Sequence, residues 1–285
     1  MSNVIQNRYD IVYFFDVKNG NPNGDPDGGN MPRTHAESNL GIVTDVCQKR
    51  KLRNYVLQAM QDKPGYDIYV AENSILSEQN ARAFEKLGIN PSKKNASEKG
   101  DELRKAMCEL FWDVRTFGAV MVGNESFNLK KLQGPVQTTF AESLFEIVPE
   151  HVTISRMAKT NKDEDGDANQ TFGNKYIVPY ALYQSHIFIN PKLAEKTGFS
   201  EDDLEVLFDG LKNMFDLDRS SSRGLMSCRG IKVFKHDNKL GRASAGNLFD
   251  RVHVDYSKVT PTSFNDYTIT VDDVDLPKGV SYIDM

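Results

Sequence analysis

Apolar residues run almost unbroken from Tyr9 to Val17, β-branched or aromatic at nearly every position, which predicts a strand buried on both faces. Helical spacing follows. Leu52, Tyr55, Val56 and Ala59 form one stripe of a helix that Thr44 is placed to cap. A second stripe, Leu103, Met107, Leu110 and Phe111, predicts a core-facing helix, and the lone Trp112 is also expected in the core. The cleanest stripe is Leu204, Leu207, Phe208, Leu211 and Phe215, preceded by Ser200 as N-cap with Asp203 three residues on. Strands are predicted over Asp113–Val122, His151–Met157 and Lys175–Tyr183, around Ile231 and Val233 up to His236, and around Phe249, Val252, Val254 and Tyr256. Ser77–Leu87 predicts a short polar helix and Asn90–Gly100 a loop; the tail beyond Pro261 is acidic and loosely β-like.

One stretch breaks this pattern. Asn19–Arg33 is so rich in Gly, Pro, Asn and Asp that no helix or central strand can run through it. It joins the buried strand to the basic helix Asp45–Val56, where backbone N–H groups can face an anion. A plain connection and a phosphate-facing loop are both compatible with that composition. Lys49, Arg50 and Arg53 sit together at the edge of the helix stripe, as a solvated face or as phosphate contacts.

Composition narrows the choice. The 285 residues are 39% hydrophobic and 26% charged, with net charge −5, ordinary for a globular protein in water. No apolar run reaches the ~20 residues of a membrane span, and the N-terminus lacks the layout of a secretion signal. Three widely spaced cysteines, Cys47, Cys108 and Cys228, suit free thiols in a reducing cytosol, so the expected location is cytoplasmic. The net charge hides a segregation. Arg219, Arg223, Arg229, Lys232, Lys235, Lys239 and Arg242 face one acid, Asp237, while acids gather in 163–167, 201–203 and 272–275. Such patches on an acidic body permit phosphate contact without indiscriminate binding.

Catalytic patterns are missing. The five histidines are scattered, Gly241–Gly246 has Arg242 where the first Gly of a nucleophile elbow belongs, and the Gly-rich loop has no G-K-[ST] ending. Asn161, Asp163, Asp165, Gly166 and Asp167 fall at calcium-loop spacings, but Phe172 stands where the bidentate Glu belongs. Asp25 and Asp27 are the one pair of acids placed to hold a divalent cation. The sequence implies no cofactor and no metal.

The order of residues says more. N-G-N-P-N-G-D-P-D-G-G-N-M-P-R (19–33), followed by V-T-D-V-C-x-K-R-K-x-R-N-Y (43–55), closely resembles the backbone subunit of type I CRISPR surveillance complexes (Cascade), best the type I-C subfamily and next type I-B. D-x-R-x-F-G at Asp113–Gly118 and Gly134–Thr139 are further family-like strings, and the resemblance covers the whole chain. It implies an α+β fold: a single ferredoxin-like, RRM-like palm over 1–285, an inserted mainly helical fingers region over 63–112, and a β-hairpin thumb over 151–180. The predicted order of strand, loop, helix, insertion, strand, strand, long helix, strand matches βαββαβ.

The implied function is a non-catalytic scaffold that polymerises along a guide RNA and leaves the bases free to pair with target DNA. Its partners are the guide, the target strand, further copies in a helical filament, and the guide-processing, large and small subunits, with no membrane. The RNA contacts expected are Asn21, Asn23, Arg33, Lys49, Arg50, Arg53, Arg115, Gln137, Arg156, Arg219, Ser220 and Arg223, with Met157 as a wedge between nucleotides. Arg115 could equally pair a neighbouring acid, and Met157 could equally be core. Two other classes are a metal-dependent ribonuclease using Asp25 or Asp27, of the type III backbone kind, and a stand-alone single-strand RNA-binding module.

Overall fold

The computed structural model describes residues 3–122, 128–156 and 171–285. The chain runs β1 Tyr9–Gly20, β2 Gly24–Asp25, β3 Met31–Pro32, β4 Leu40–Val43, α1 Asp45–Ala59, α2 Leu76–Lys86, α3 Lys93–Glu98, α4 Gly100–Leu110, α5 Trp112–Phe117, β5 Gly118–Val122, β6 Asn128–Gln133, β7 Val136–Thr138 and β8 Ala141–Glu146. It continues with β9 Glu150–Arg156, β10 Thr171–Ile189, α6 Pro191–Thr197, α7 Glu201–Leu217, β11 Leu225–His236, α8 Ala245–Phe249, β12 Val252–Tyr256, β13 Tyr267–Val271 and β14 Val280–Asp284.

The first apolar run becomes the centre of a large antiparallel sheet, ordered β14-β11-β1-β10-β8-β4, with β7 and β9 also pairing β10. Every residue of β1 from Tyr9 to Val17 is buried, because alternate side chains enter two different cores. Ile11, Tyr13, Phe15 and Val17 meet Leu52 and Val56 of α1 and Leu207, Leu211 and Phe215 of α7. Phe15 stacks on Tyr183 at 5.4 Å, and the Tyr13 hydroxyl donates to the Leu211 carbonyl at 2.8 Å. Val12 and Phe14 point the other way and pack with Leu182 and Tyr267 under the β12–β13 pair. A separate apolar cluster holds α2, α4 and α5 together, built on Tyr69, Phe84, Leu103, Met107 and Phe111.

The helix predicted behind Ser200 is α7, and both halves of its capping box form. The helix predicted over Ser77–Leu87 is α2, Trp112 is fully buried, and the three thiols are free. The two strands predicted on either side of residue 165 pair as expected, Glu150–Arg156 against Thr171–Ile177, before β10 continues into the main sheet. Met157 and Asn161–Asp167 lie outside the described residues.

Three expectations change. Asp113–Phe117 is helical, not extended; the strand begins only at Gly118. Its β-rich composition is overruled by buried polar contacts. The Asp113 carboxylate accepts from the Tyr69 and Val70 amides, and Arg115 reaches back to Asp203. Gly118 then turns the chain with φ +79°, in a space where a Cβ would lie 2.2 Å from the Leu132 carbonyl oxygen, the close backbone approach its position suggests. Second, the expected loop after Asn90 contains the short helix α3, whose N-cap Ser92 accepts from the Asn95 amide at 3.1 Å. Third, Phe249 ends α8, so its strand starts at Val252.

Candidate nucleic-acid interface

The Gly/Asn stretch is a folded object. β2 and β3 pair within it, Gly24 opposite Pro32 and Asp25 opposite Met31. Its turn closes on Asp25, whose carbonyl accepts from the Gly28 and Asn30 amides and whose carboxylate accepts from the Asp27 amide. Asn21 spans the loop, its Nδ2 donating to the Asn30 carbonyl at 2.7 Å. Asn23 bolts the loop to α1: its Oδ1 accepts from both the amide and the hydroxyl of Thr44 at 3.0 Å, while the Thr44 hydroxyl accepts from the Cys47 amide.

A second loop, 218–224, holds it from the other side. The Arg223 guanidinium donates to the Asn21 and Pro22 carbonyls at 3.1 and 2.9 Å, and the Asn21 amide donates to the Ser222 carbonyl at 2.8 Å. The approach is so tight that a Cβ on Gly20 would lie 2.0 Å from the Arg223 carbonyl oxygen. Many of the amides expected to face an anion, those of Asn21, Asp27, Gly28, Asn30, Met31 and Arg33, are therefore used inside the fold. What the two loops present outward is a rigid rim of side chains beside the N-terminus of α1.

The cations of that rim differ in freedom. Arg33 lies 3.3 Å from Asp25 and is about a third exposed. Arg50 is the most open of the α1 cations at 43%, reaching Asp218 at 3.5 Å. Arg219 is similarly exposed and pairs Asp216 three residues back. Ser220 is exposed, and its hydroxyl accepts from the Arg223 amide. Lys175 of β10 donates to Ser221 at 2.8 Å, tying the base of the hairpin to the same rim.

Other expected contacts face inward. Lys49 pairs Asp45 at 2.8 Å with its ammonium over the Phe117 ring. Arg53 lies across the same ring and donates through Nε to the buried Asp113 at 2.8 Å. Arg115, with 9% of its side chain exposed, grips Asp203 through Nε and Nη2 at 2.9 and 2.7 Å and also donates to the Gly65 and Cys108 carbonyls. Of the two roles open to Arg115, the structural pairing is the one the geometry shows. Gln137 is half-buried and donates to the Gly134 carbonyl at 2.9 Å. Arg156 closes β9, with its side chain outside the described atoms, as is all of Met157.

Sequence reasoning missed Lys51 and Asp218. Lys51 is only 1% exposed and holds Asp218 under the rim. Burial pushes the Asp218 carboxyl up, but Lys51, Arg50 and Arg223 together pull it further down, so its pKa lies below the ordinary aspartate value and it remains ionised. The only signal was the unbroken basic run Lys49–Lys51, which must place one cation toward the core at 100° per residue.

This arrangement leaves a cationic, hydroxyl-bearing edge beside α1. The family described as CRISPR-associated protein Cas7 matches residues 7–272. The chain belongs to that family. A relative from Haloferax volcanii, itself named CRISPR-associated protein Cas7, is 28% identical over 221 residues, covering 70% of this chain. The match takes in 62% of that relative's own length. A chain of a solved structure titled "CRISPR RNA-guided surveillance complex, pre-nicking" superposes with TM-score 0.51 at 14% identity, over 80% of this chain and 78% of that one, and so shares the fold.

Proposed function

We propose that this chain is a non-catalytic backbone subunit of a cytoplasmic CRISPR surveillance complex, of type I-C, that coats a guide RNA in successive copies and presents its bases to target DNA. The observation that carries the reading is the rim: a folded Gly/Asn loop, clamped by Asn23 and Arg223, beside the cations Arg33, Arg50 and Arg219. A rim that meets phosphate and sugar would set the strand's register and leave its sequence to be read by base pairing. The order β11-β1-β10-β8, backed by α1 and α7 on one face, supports a ferredoxin-like palm. The α2–α5 cluster is then the fingers, and β9 with the start of β10 is the thumb stem. Target DNA, further copies of the chain and the other subunits of the complex are the partners this reading implies.

The ribonuclease alternative needs Asp25 or Asp27 on a metal. Asp25 is instead tied to Arg33 and the Asp27 amide, and among the described residues no group of three His, Cys, Asp or Glu gathers where an ion could sit. Among those residues, too, no helix is long and apolar enough to cross a membrane.

The test uses the two exposed cations whose pairs are superficial. Arg50→Glu with Arg219→Glu is expected to leave circular dichroism unchanged and to weaken single-stranded RNA binding. If both touch phosphate, the slope of log affinity against log salt falls by about 1.4, since each single-strand contact contributes about 0.7. Labelled RNA in the same assay is expected to survive Mg²⁺ intact. An unchanged salt slope removes the rim from the RNA path.

A further inference from the structure

On the sheet face away from α1 and α7, a half-open pocket of about 190 Å³ lies between the end of β1 and the segment before β13. Elsewhere this face is sealed by Val12, Phe14, Leu182 and Tyr267. Here it is polar and open. The pairing of β1 with β11 slips between Phe14, opposite Gly230, and Phe15, opposite Cys228, so Arg229 is the extra residue of a β-bulge. Bulges re-aim side chains, and this one brings Arg229 to Asp16. Arg229 Nε stands 2.8 Å from Asp16 Oδ2 without aligning as a hydrogen bond, and its guanidinium lies 4.9 Å from the Phe264 ring centroid. The Tyr180 hydroxyl donates to the same Asp16 oxygen at 3.1 Å. Asp16 is nearly fully buried, and burial pushes its carboxyl up.

Two lining residues have nothing to do inside the fold. Lys18 and Asn265 are both exposed, and among the described residues neither side chain has a hydrogen-bond or ion-pair partner. Lys18 and Arg229 against Asp16 leave the pocket one positive charge, the complement of a monoanion. A carboxylate would use the two cations alone. A nucleotide uses the whole lining: a singly charged phosphodiester for Lys18 and Arg229, and a base for the Phe264 ring and the Asn265 amide. Asp16 is buried, but Arg229 keeps about a third of its side chain exposed and lines the pocket, so the pair is not sealed by packing as a purely structural one would be.

We propose that this pocket takes one nucleotide of a single strand, phosphate toward Lys18 and Arg229 and base toward Phe264 and Asn265. The proposal rests on the nucleic-acid reading for its choice of a nucleotide over another monoanion, but it places that contact on the other face of the sheet from α1.

The test irradiates the full-length protein with single-stranded RNA or DNA carrying 5-iodouracil and maps the cross-links by mass spectrometry. A cross-link at Phe264 or Tyr180 is expected. Lys18→Gln with Asn265→Ala, which disturbs no internal contact, should lower its yield about tenfold, the loss of one hydrogen bond to a charged group, while total RNA bound changes little. A cross-link in the RNA arm alone identifies the guide as the source, and one in the DNA arm identifies the target strand. RNA retained with no cross-link at either ring, or a cross-link indifferent to the double variant, overturns the pocket and leaves the rim standing. Loss of the cross-link to a glutamate-rich competitor also overturns it, because the pocket then takes carboxylates. Failure to retain any nucleic acid overturns both readings.

Discussion

Arg115→Met is expected to destabilise the fold by about 3–5 kcal/mol, the cost of leaving one member of a buried ion pair uncompensated. Asp203 is 2% exposed and would keep only its hydrogen bonds from Ser200, while the Gly65 and Cys108 carbonyls would each lose a donor. Because Asp203 also completes the capping box of α7, and α7 packs the central sheet, the loss spreads from α5 into the main core. A stability of 5–15 kcal/mol is usual for a domain, so the variant stands near the edge of folding. Chemical denaturation measures this directly. Adding Asp203→Asn, which removes the stranded charge, should return part of the lost stability. A variant as stable as the parent would show that the pair carries no net energy and would reopen Arg115 as an RNA contact.

The second large effect is Arg53→Glu. Its partner Asp113 is 1% exposed, anchored by the Tyr69 and Val70 amides, and a second carboxylate at that distance adds repulsion to the lost pair. The expected cost is again about 3–5 kcal/mol or more. Arg50→Glu, three residues earlier on the same helix but 43% exposed, should cost about 1 kcal/mol or less. The contrast matters for function. Reversing Lys49, Arg50 and Arg53 together, which looks like a clean test of RNA contact from sequence, would abolish binding by unfolding the helix's surroundings. Thermal melts of the two single variants separate the cases: equal melting temperatures would contradict the buried pairing of Arg53.

What was legible in the sequence was local. The Ser200–Asp203 capping box, the apolar stripes of α1 and α7, the doubly buried β1 and the β9–β10 pairing all express interactions between near neighbours or a strict period. What was illegible was partnership at a distance. Arg53 finds Asp113 60 residues away, Arg115 finds Asp203 88 away, and Arg50 finds Asp218 168 away. Those partners convert a helix that reads as a phosphate-binding face into one whose Lys49 and Arg53 are neutralised within the fold. They also explain the helix at Trp112–Phe117, where the composition reads as strand: only a helical backbone lets Asp113 and Arg115 serve opposite neighbours. The composition of the Gly/Asn stretch excludes helix and central strand but leaves open whether its amides face an anion; Asn21, Asn23 and Arg223 turn many of them inward. The bulge that exposes Arg229 beside Asp16 is a matter of register, which composition does not encode.

Whether this chain coats a guide RNA in successive copies is decided by the nucleic acid that co-purifies with it. Extracted after purification of the intact complex and resolved on a denaturing gel, it should be a small RNA of one defined length, bound by several copies of the chain. RNA of scattered lengths, or one copy of the chain on each RNA, would contradict the account and leave a general single-strand binder in its place.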